Sequence, residues 1–120
     1  MKLSEHFDST EFQCKCCGTL PKSGVNKNLI KLLEDIRNKV EKSITITSGY
    51  RCESHNHKCG GKPKSQHLLG IAADINITGL TPHEVQDFLV TNFDDRIGGL
   101  GIYATFTHVD VRNSHARWKG

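Results

Sequence analysis

A chain of 120 residues with 36% hydrophobic and 24% charged side chains can bury one modest core, and it is expected to fold as one domain over residues 1–120. The composition excludes an intrinsically disordered chain, and no run reaches the roughly 20 apolar residues that a membrane span needs. The net charge of +3 comes from scattered Lys and Arg, which argues against a nucleic-acid partner while suiting approach to an anionic polymer.

The first residues, Met1 to His6, hold no apolar core of a signal peptide. The expected product is therefore a soluble monomer made in the cytoplasm, unless it is trimmed or exported by another route. Asp8-Ser9-Thr10-Glu11-Phe12 reads as a short helical turn behind a polar cap. Cys14-Lys15-Cys16-Cys17-Gly18 and Leu20-Pro21-Lys22-Ser23-Gly24 read as tight loops. From Asn26 to Ser43, Leu29, Leu33, Ile36 and Val40 recur at spacings of three and four, widened by Ile30 and Leu32, which predicts an amphipathic helix. Ile44-Thr45-Ile46-Thr47-Ser48 is β-branched and alternating, a strand ended by Gly49. A loop follows from Tyr50 to Gln66, long enough to expect function in it.

Ile71 to Ile77 is the next predicted strand, with Ala73, Ile75 and Ile77 on one face and Ala72, Asp74 and Asn76 on the other. Thr81-Pro82-His83-Glu84 is a capping box with Pro at the first helical position, leading a helix through Val85, Phe88, Leu89 and Phe93. Residues 98–103 and 105–112 predict two strands joined by a turn near Ala104. The order is that of an α+β domain with a small, mostly antiparallel sheet and flanking helices.

The chemistry concentrates on His67, Asp74 and His108. Two imidazoles and one carboxylate are a common ligand set for zinc, and a hydrolytic zinc site keeps its fourth position for water. Asp74 lies on the polar face of its strand, and a sheet pairing the two strands would bring it to His108. His67 arrives from the preceding loop, with Gly70 giving room to turn. A carboxylate inside Ile71-Ala72-Ala73-Asp74-Ile75 is costly unless it is metal-bound or held in a buried ion pair. Asp110 points the same way as His108. It is a candidate general base, a partner that orients a ligand imidazole, or an ion-pair partner of Arg112 or Arg51. Arg51, just past Ser48-Gly49-Tyr50, can hold a carboxylate bidentately or can simply lie at the surface.

Five cysteines, an odd number, leave at least one thiol without an internal disulfide partner. Reduced thiols are the default reading, with disulfides or a structural zinc as alternatives. Cys14 and Cys17 have the gap of a zinc half-site that Cys52 and Cys59 would complete, and His55 and His57 lie between the latter pair.

Ser48-Gly49-Tyr50-Arg51, Asn56, the run from Ser65 to Ile75, Gly99-Leu100-Gly101-Ile102-Tyr103, the run from Phe106 to Arg112, and Trp118 together resemble the D-alanyl-D-alanine carboxypeptidase-type zinc peptidases. The Ser-x-His-x6-Asp and His-x-Asp-x-Arg strings are the specific part. Glu11-Phe12-Gln13-Cys14-Lys15-Cys16 is similar to the short phage and bacterial branch. The resemblance implies a hedgehog/DD-peptidase-like fold, Zn2+ on His67, Asp74 and His108, and Arg51 as the group that orients substrate. It implies hydrolysis of an amide bond in peptidoglycan stem peptides, as a carboxypeptidase or as an endopeptidase or lysin, with action at the cell wall. Some members carry an acid three positions before the last ligand, or a His two positions before it; Thr105 and Phe106 stand there. Asp110 is the substitute base by geometry, with Glu53, His55 and His57 as alternatives. The rival readings are a non-catalytic zinc domain that recognises wall peptides or a protein partner, and a thiolate-zinc nucleic-acid module.

Overall fold

The first helix starts where the sequence supplies an acceptor for its orphan amides. The Asn26 side chain accepts from the N–H groups of Asn28 and Leu29 at 2.8 and 3.2 Å. From that cap, helix α1 runs Lys27–Val40 and buries Leu29, Ile30, Leu32, Leu33 and Ile36 along one stripe. It stops three residues short of the expected end because Glu41 turns left-handed (φ 56°) while its N–H still reaches the Arg37 carbonyl. The computed structural model describes residues 1–15, 17–21, 24–52, 57 and 66–120. Most of the expected loop between Tyr50 and Gln66 therefore lies outside the described residues.

Strand β1 (Ile44–Ser48) follows α1 directly. Then come β2 (Ala72–Ile77), helix α2 (Pro82–Phe93), β3 (Gly99–Ile102), β4 (Thr107–Asp110) and β5 (Ala116–Lys119). Helix α2 carries the expected capping box, with Thr81 Oγ1 accepting from Glu84 N–H and the Glu84 carboxylate from Thr81 N–H. The sheet order is β1-β2-β4-β3-β5, antiparallel throughout except for the parallel pair β3–β5. The molecule is thus α+β with a mostly antiparallel sheet, as the pattern of elements implied.

The fifth strand is a correction. Residues 116–119 hold no β-branched side chain and no clean alternation, so nothing local marks them as a strand. Distant partners make them one. Ala116 N–H donates to the Gly98 carbonyl at 2.9 Å and Gly120 N–H to the Ile102 carbonyl at 2.7 Å. The Arg117 guanidinium binds the carbonyls of Gly98 and Ile97 and the Asp94 carboxylate.

Strand parity divides the sheet into two working faces. Ala73, Ile75, Ile77, Val109 and Leu100 join the α1 stripe, Phe7, Phe12, and Val85, Leu89 and Phe93 of α2 in one buried cluster. The opposite face of the two central strands carries Asp74, His108 and Asp110. All three are buried, though each is polar. Such burial is expensive without partners, so the partners define the site.

Candidate metal centre

Asp74 on β2 and His108 on β4 are direct cross-strand partners. The pairing inferred from parity is therefore the observed one. His67 comes from a 3-10 turn, Gln66–Leu69, rather than from open loop. Gly70, at φ +71°, reverses the chain between that turn and β2, a conformation that disfavours any side chain. His67 Nε2 and His108 Nδ1 both stand 3.1 Å from the same oxygen, Asp74 Oδ1. The three ligand atoms lie within 4.8 Å of one another, and all three residues are buried.

The second nitrogen of each ring explains why the first faces inward. His67 Nδ1 is 2.7 Å from the Gly49 carbonyl, which can only accept, so Nδ1 carries a proton and Nε2 is the atom turned to Asp74. His108 Nε2 is 2.7 Å from Asp110 Oδ2, so Nδ1 is the inward atom there. With both rings neutral, two imidazole lone pairs and a carboxylate oxygen would converge on one point; without an ion, protons on the inward nitrogens make the hydrogen bonds to Asp74. Three electron-rich atoms at this spacing repel unless a proton or a cation stands between them.

The charges respond accordingly. Burial works against the ionised Asp74, but hydrogen bonds from His108 and His67 outweigh it and bring its pKa down to about 2. Burial would also discharge His108, yet its bonds to Asp110 and Asp74 raise its pKa above the usual value. Asp110 is likewise buried and still falls well below the carboxylate range, through His108 and Arg112.

Arg51 meets this cluster from the end of β1. Its Nη2 is 3.1 Å from Asp74 Oδ2 and its Nε donates to Ser48 Oγ at 3.1 Å. Asp74 therefore has both environments weighed from the sequence, an ion pair on one oxygen and imidazoles on the other. Asp110 is fully enclosed. Besides His108, it accepts from Gly99 N–H at 2.8 Å, Arg112 N–H at 3.0 Å and Arg112 Nη2 at 2.7 Å. Of the other candidate bases, Glu53 and His55 lie outside the described residues and His57 is exposed.

Sequence reasoning missed the wall behind His108. Trp118 on β5 lies with its ring centroid 5.1 Å from that of His108, and its Nε1–H donates to Tyr103 Oη at 2.8 Å. Gly101, opposite His108 in the ladder, admits the indole, because a Cβ there would stand 2.4 Å from Trp118 Cε2. Gly99 does the same for Asp110, where a Cβ would stand 2.3 Å from Oδ2. Glycine recurring inside a strand was the available signal that something packs close to the backbone. The cysteines expected as a rival site also gather in part: Cys14, Cys17 and Cys52 approach one another, while Cys16 and Cys59 lie outside the described residues.

A buried pair of imidazoles and a carboxylate on a small α+β frame could hold a metal ion. The family model described as Peptidase M15 matches residues 5–110. The chain belongs to this peptidase family, whose members are metalloenzymes, in line with the resemblance carried by its motifs. No curated protein matches the chain.

Proposed function

We propose that the protein is a zinc peptidase that hydrolyses an amide bond in peptidoglycan stem peptides. The observation that carries this reading is the convergence of His67 Nε2, Asp74 Oδ1 and His108 Nδ1 in a member of the M15 peptidases. The donor set fits zinc in kind and number: two neutral nitrogens, one anionic oxygen, and a fourth position left to water or substrate. When bound there, zinc would polarise a carbonyl and lower the pKa of water.

The protein's own groups have separable tasks in this reading. Gly49 O and Asp110 fix the two imidazoles by accepting hydrogen bonds from their outward N–H groups, which would leave the inward nitrogens to face a bound ion. Arg51 holds Asp74 through Oδ2 and leaves Oδ1 directed at the imidazoles. From the same position its guanidinium orients a substrate carboxylate or carbonyl. Asp110, committed to His108 and Arg112, acts as the orienting partner rather than as the base. A group other than Asp110 would take the proton of an attacking water, with Glu53, His55 and His57 as the candidates.

The test is digestion of purified peptidoglycan and of defined stem peptides by zinc-loaded protein, with products identified by mass spectrometry. The expected result is one released amine or D-Ala product, lost with a chelator and restored by zinc. The positions of Thr105 and Phe106, which hold neither acid nor histidine, support the second reading, a zinc domain that binds wall peptides without cleaving them. Zinc-loaded protein that is retained on walls yet releases nothing from any substrate would establish that alternative and sink the first.

A further inference from the structure

The N-terminal segment and the chain leaving β1 meet through sulfur. Cys14, Cys17 and Cys52 bring their Sγ atoms within 4.8 Å of one another, and the Cys14–Cys52 sulfurs are 3.5 Å apart. Thiolates held about 2.3 Å from a tetrahedral zinc stand roughly 3.8 Å from each other. A disulfide would need about 2.05 Å. The Cys14–Cys52 separation is too long for a disulfide and close to that of two sulfurs sharing an ion, and Cys17 lies within reach of both.

The backbone around them is shaped for that task. Cys14 and Cys17 are separated by two residues and followed by Gly18 at φ +70°. Gly18 N–H donates to the Cys14 carbonyl at 2.7 Å and Cys14 N–H to the Thr19 carbonyl at 2.8 Å, closing a tight loop with both sulfurs on it. The Cys52 N–H donates to Cys14 Sγ at 3.4 Å, a bond that favours the thiolate. Cys17 Sγ lies 2.9 Å from the Thr19 hydroxyl, a hydrogen-bonding pair in which either atom can donate. Cys14 is buried and Cys17 is exposed, so the cluster has an anchored side and an open one.

We propose that Cys14, Cys17 and Cys52 form a second metal site that takes one zinc ion through three thiolates. The site draws on none of His67, Asp74 or His108, so it stands or falls apart from the reading of the first centre. Each thiol gives its proton to solvent as it binds, and a further donor, solvent or thiol, completes four-coordination. The structural effect is specific. The same two segments pair through Tyr50 N–H on the Phe12 carbonyl at 2.9 Å, and a Cβ on Gly49 would stand 2.7 Å from Phe12 Cα. Gly49 carries the carbonyl that fixes His67. A thiolate-bound zinc therefore clamps residues 14 and 52 across the backbone that positions His67.

The experiment is metal counting and cobalt spectroscopy on the full chain, purified under reducing conditions. Roughly two equivalents of zinc are expected in the parent, one remaining in His67→Ala/His108→Ala and one in Cys14→Ser/Cys17→Ser. Cobalt in the His67→Ala/His108→Ala protein should show sulfur-to-cobalt charge transfer and tetrahedral visible bands, and Cys17→His should keep the ion. A parent protein with reduced thiols and no sulfur-to-cobalt band would overturn the proposal even if the serine variants failed to fold. An intact mass showing a Cys14–Cys52 disulfide in freshly purified protein would also overturn it.

Discussion

Replacing Asp110 with Asn separates an orienting role from a basic one. The side chain is fully buried and accepts from His108 Nε2, Arg112 Nη2, Arg112 Nε, Arg112 N–H and Gly99 N–H. The amide keeps the shape but loses the charge, and its NH2 must face donors whichever way it turns. On the Oδ2 side it meets His108 and Arg112 Nη2; on the Oδ1 side it meets the amides of Gly99 and Arg112. The bonds from His108 and the Arg112 guanidinium lose their anionic acceptor, and Arg112 loses its buried counter-ion, so about 3 kcal/mol of folding stability should go, roughly 10 °C in Tm. The imidazole can relieve the clash by accepting from the amide at Nε2, which moves its proton to Nδ1, the atom that faces Asp74. Zinc affinity should then fall about 10- to 100-fold, or roughly 1.4 to 2.7 kcal/mol. Competition against a chromophoric chelator reads the affinity, and 15N chemical shifts of His108 read the tautomer. A variant that binds zinc as tightly as the parent, keeps its tautomer and yet cannot hydrolyse substrate would refute this reasoning and make Asp110 the base.

Three further outcomes follow from the same geometry. Gly101→Ala should push Trp118 off His108, costing about 1–3 kcal/mol and shifting the tryptophan emission, because its Cβ would stand 2.4 Å from the indole; unchanged emission and Tm would contradict the close contact. Glu41→Gly should stabilise the protein by about 1 kcal/mol in urea titrations, since Glu41 holds a left-handed cap conformation that glycine adopts without strain. In metal-free protein, Asp74 contributes stability that is present above pH 3.8 and lost as pH falls toward 2, on the order of 2 kcal/mol. His108, with its pKa raised, contributes stability that is present below about pH 6.5 and fades as pH rises through its folded value. Urea midpoints measured from pH 2 to 9 should therefore fall at both ends, and a flat profile would oppose both assignments.

The centre was legible where it depends on periodicity. Alternation along β2 and β4 put Asp74 and His108 on one face, and their ladder pairing realises it. The capping box at Thr81 and the Asn26 start of α1 were readable because a few neighbouring residues determine them. What escaped depends on contacts distant in sequence. Ala116 to Lys119 becomes a strand only because Gly98, Ile102 and Asp94 receive it. The meeting of Arg51 with Asp74 spans 23 positions, and β1 carries a register shift between Ile46 and Ser48 just before it. No local pattern announces that shift. The Gly49 carbonyl on His67 is a backbone group, which residue identity cannot reveal.

The three side chains of the candidate centre do not share one mechanical footing. Asp74 and His108 sit on the central strands of the sheet, bonded on both sides, and such strands open only when the whole molecule does. His67 sits on the turn Gln66–Leu69, outside the sheet, with ties that include the Gly49 carbonyl, the Arg51 N–H on its own carbonyl and the reversal at Gly70. An ion leaving this centre would not have to wait for global unfolding, because the turn can let go of its imidazole first. The lifetime of a bound metal would then be governed by the hold on this turn, while its affinity draws on the stiffness of the sheet beside it.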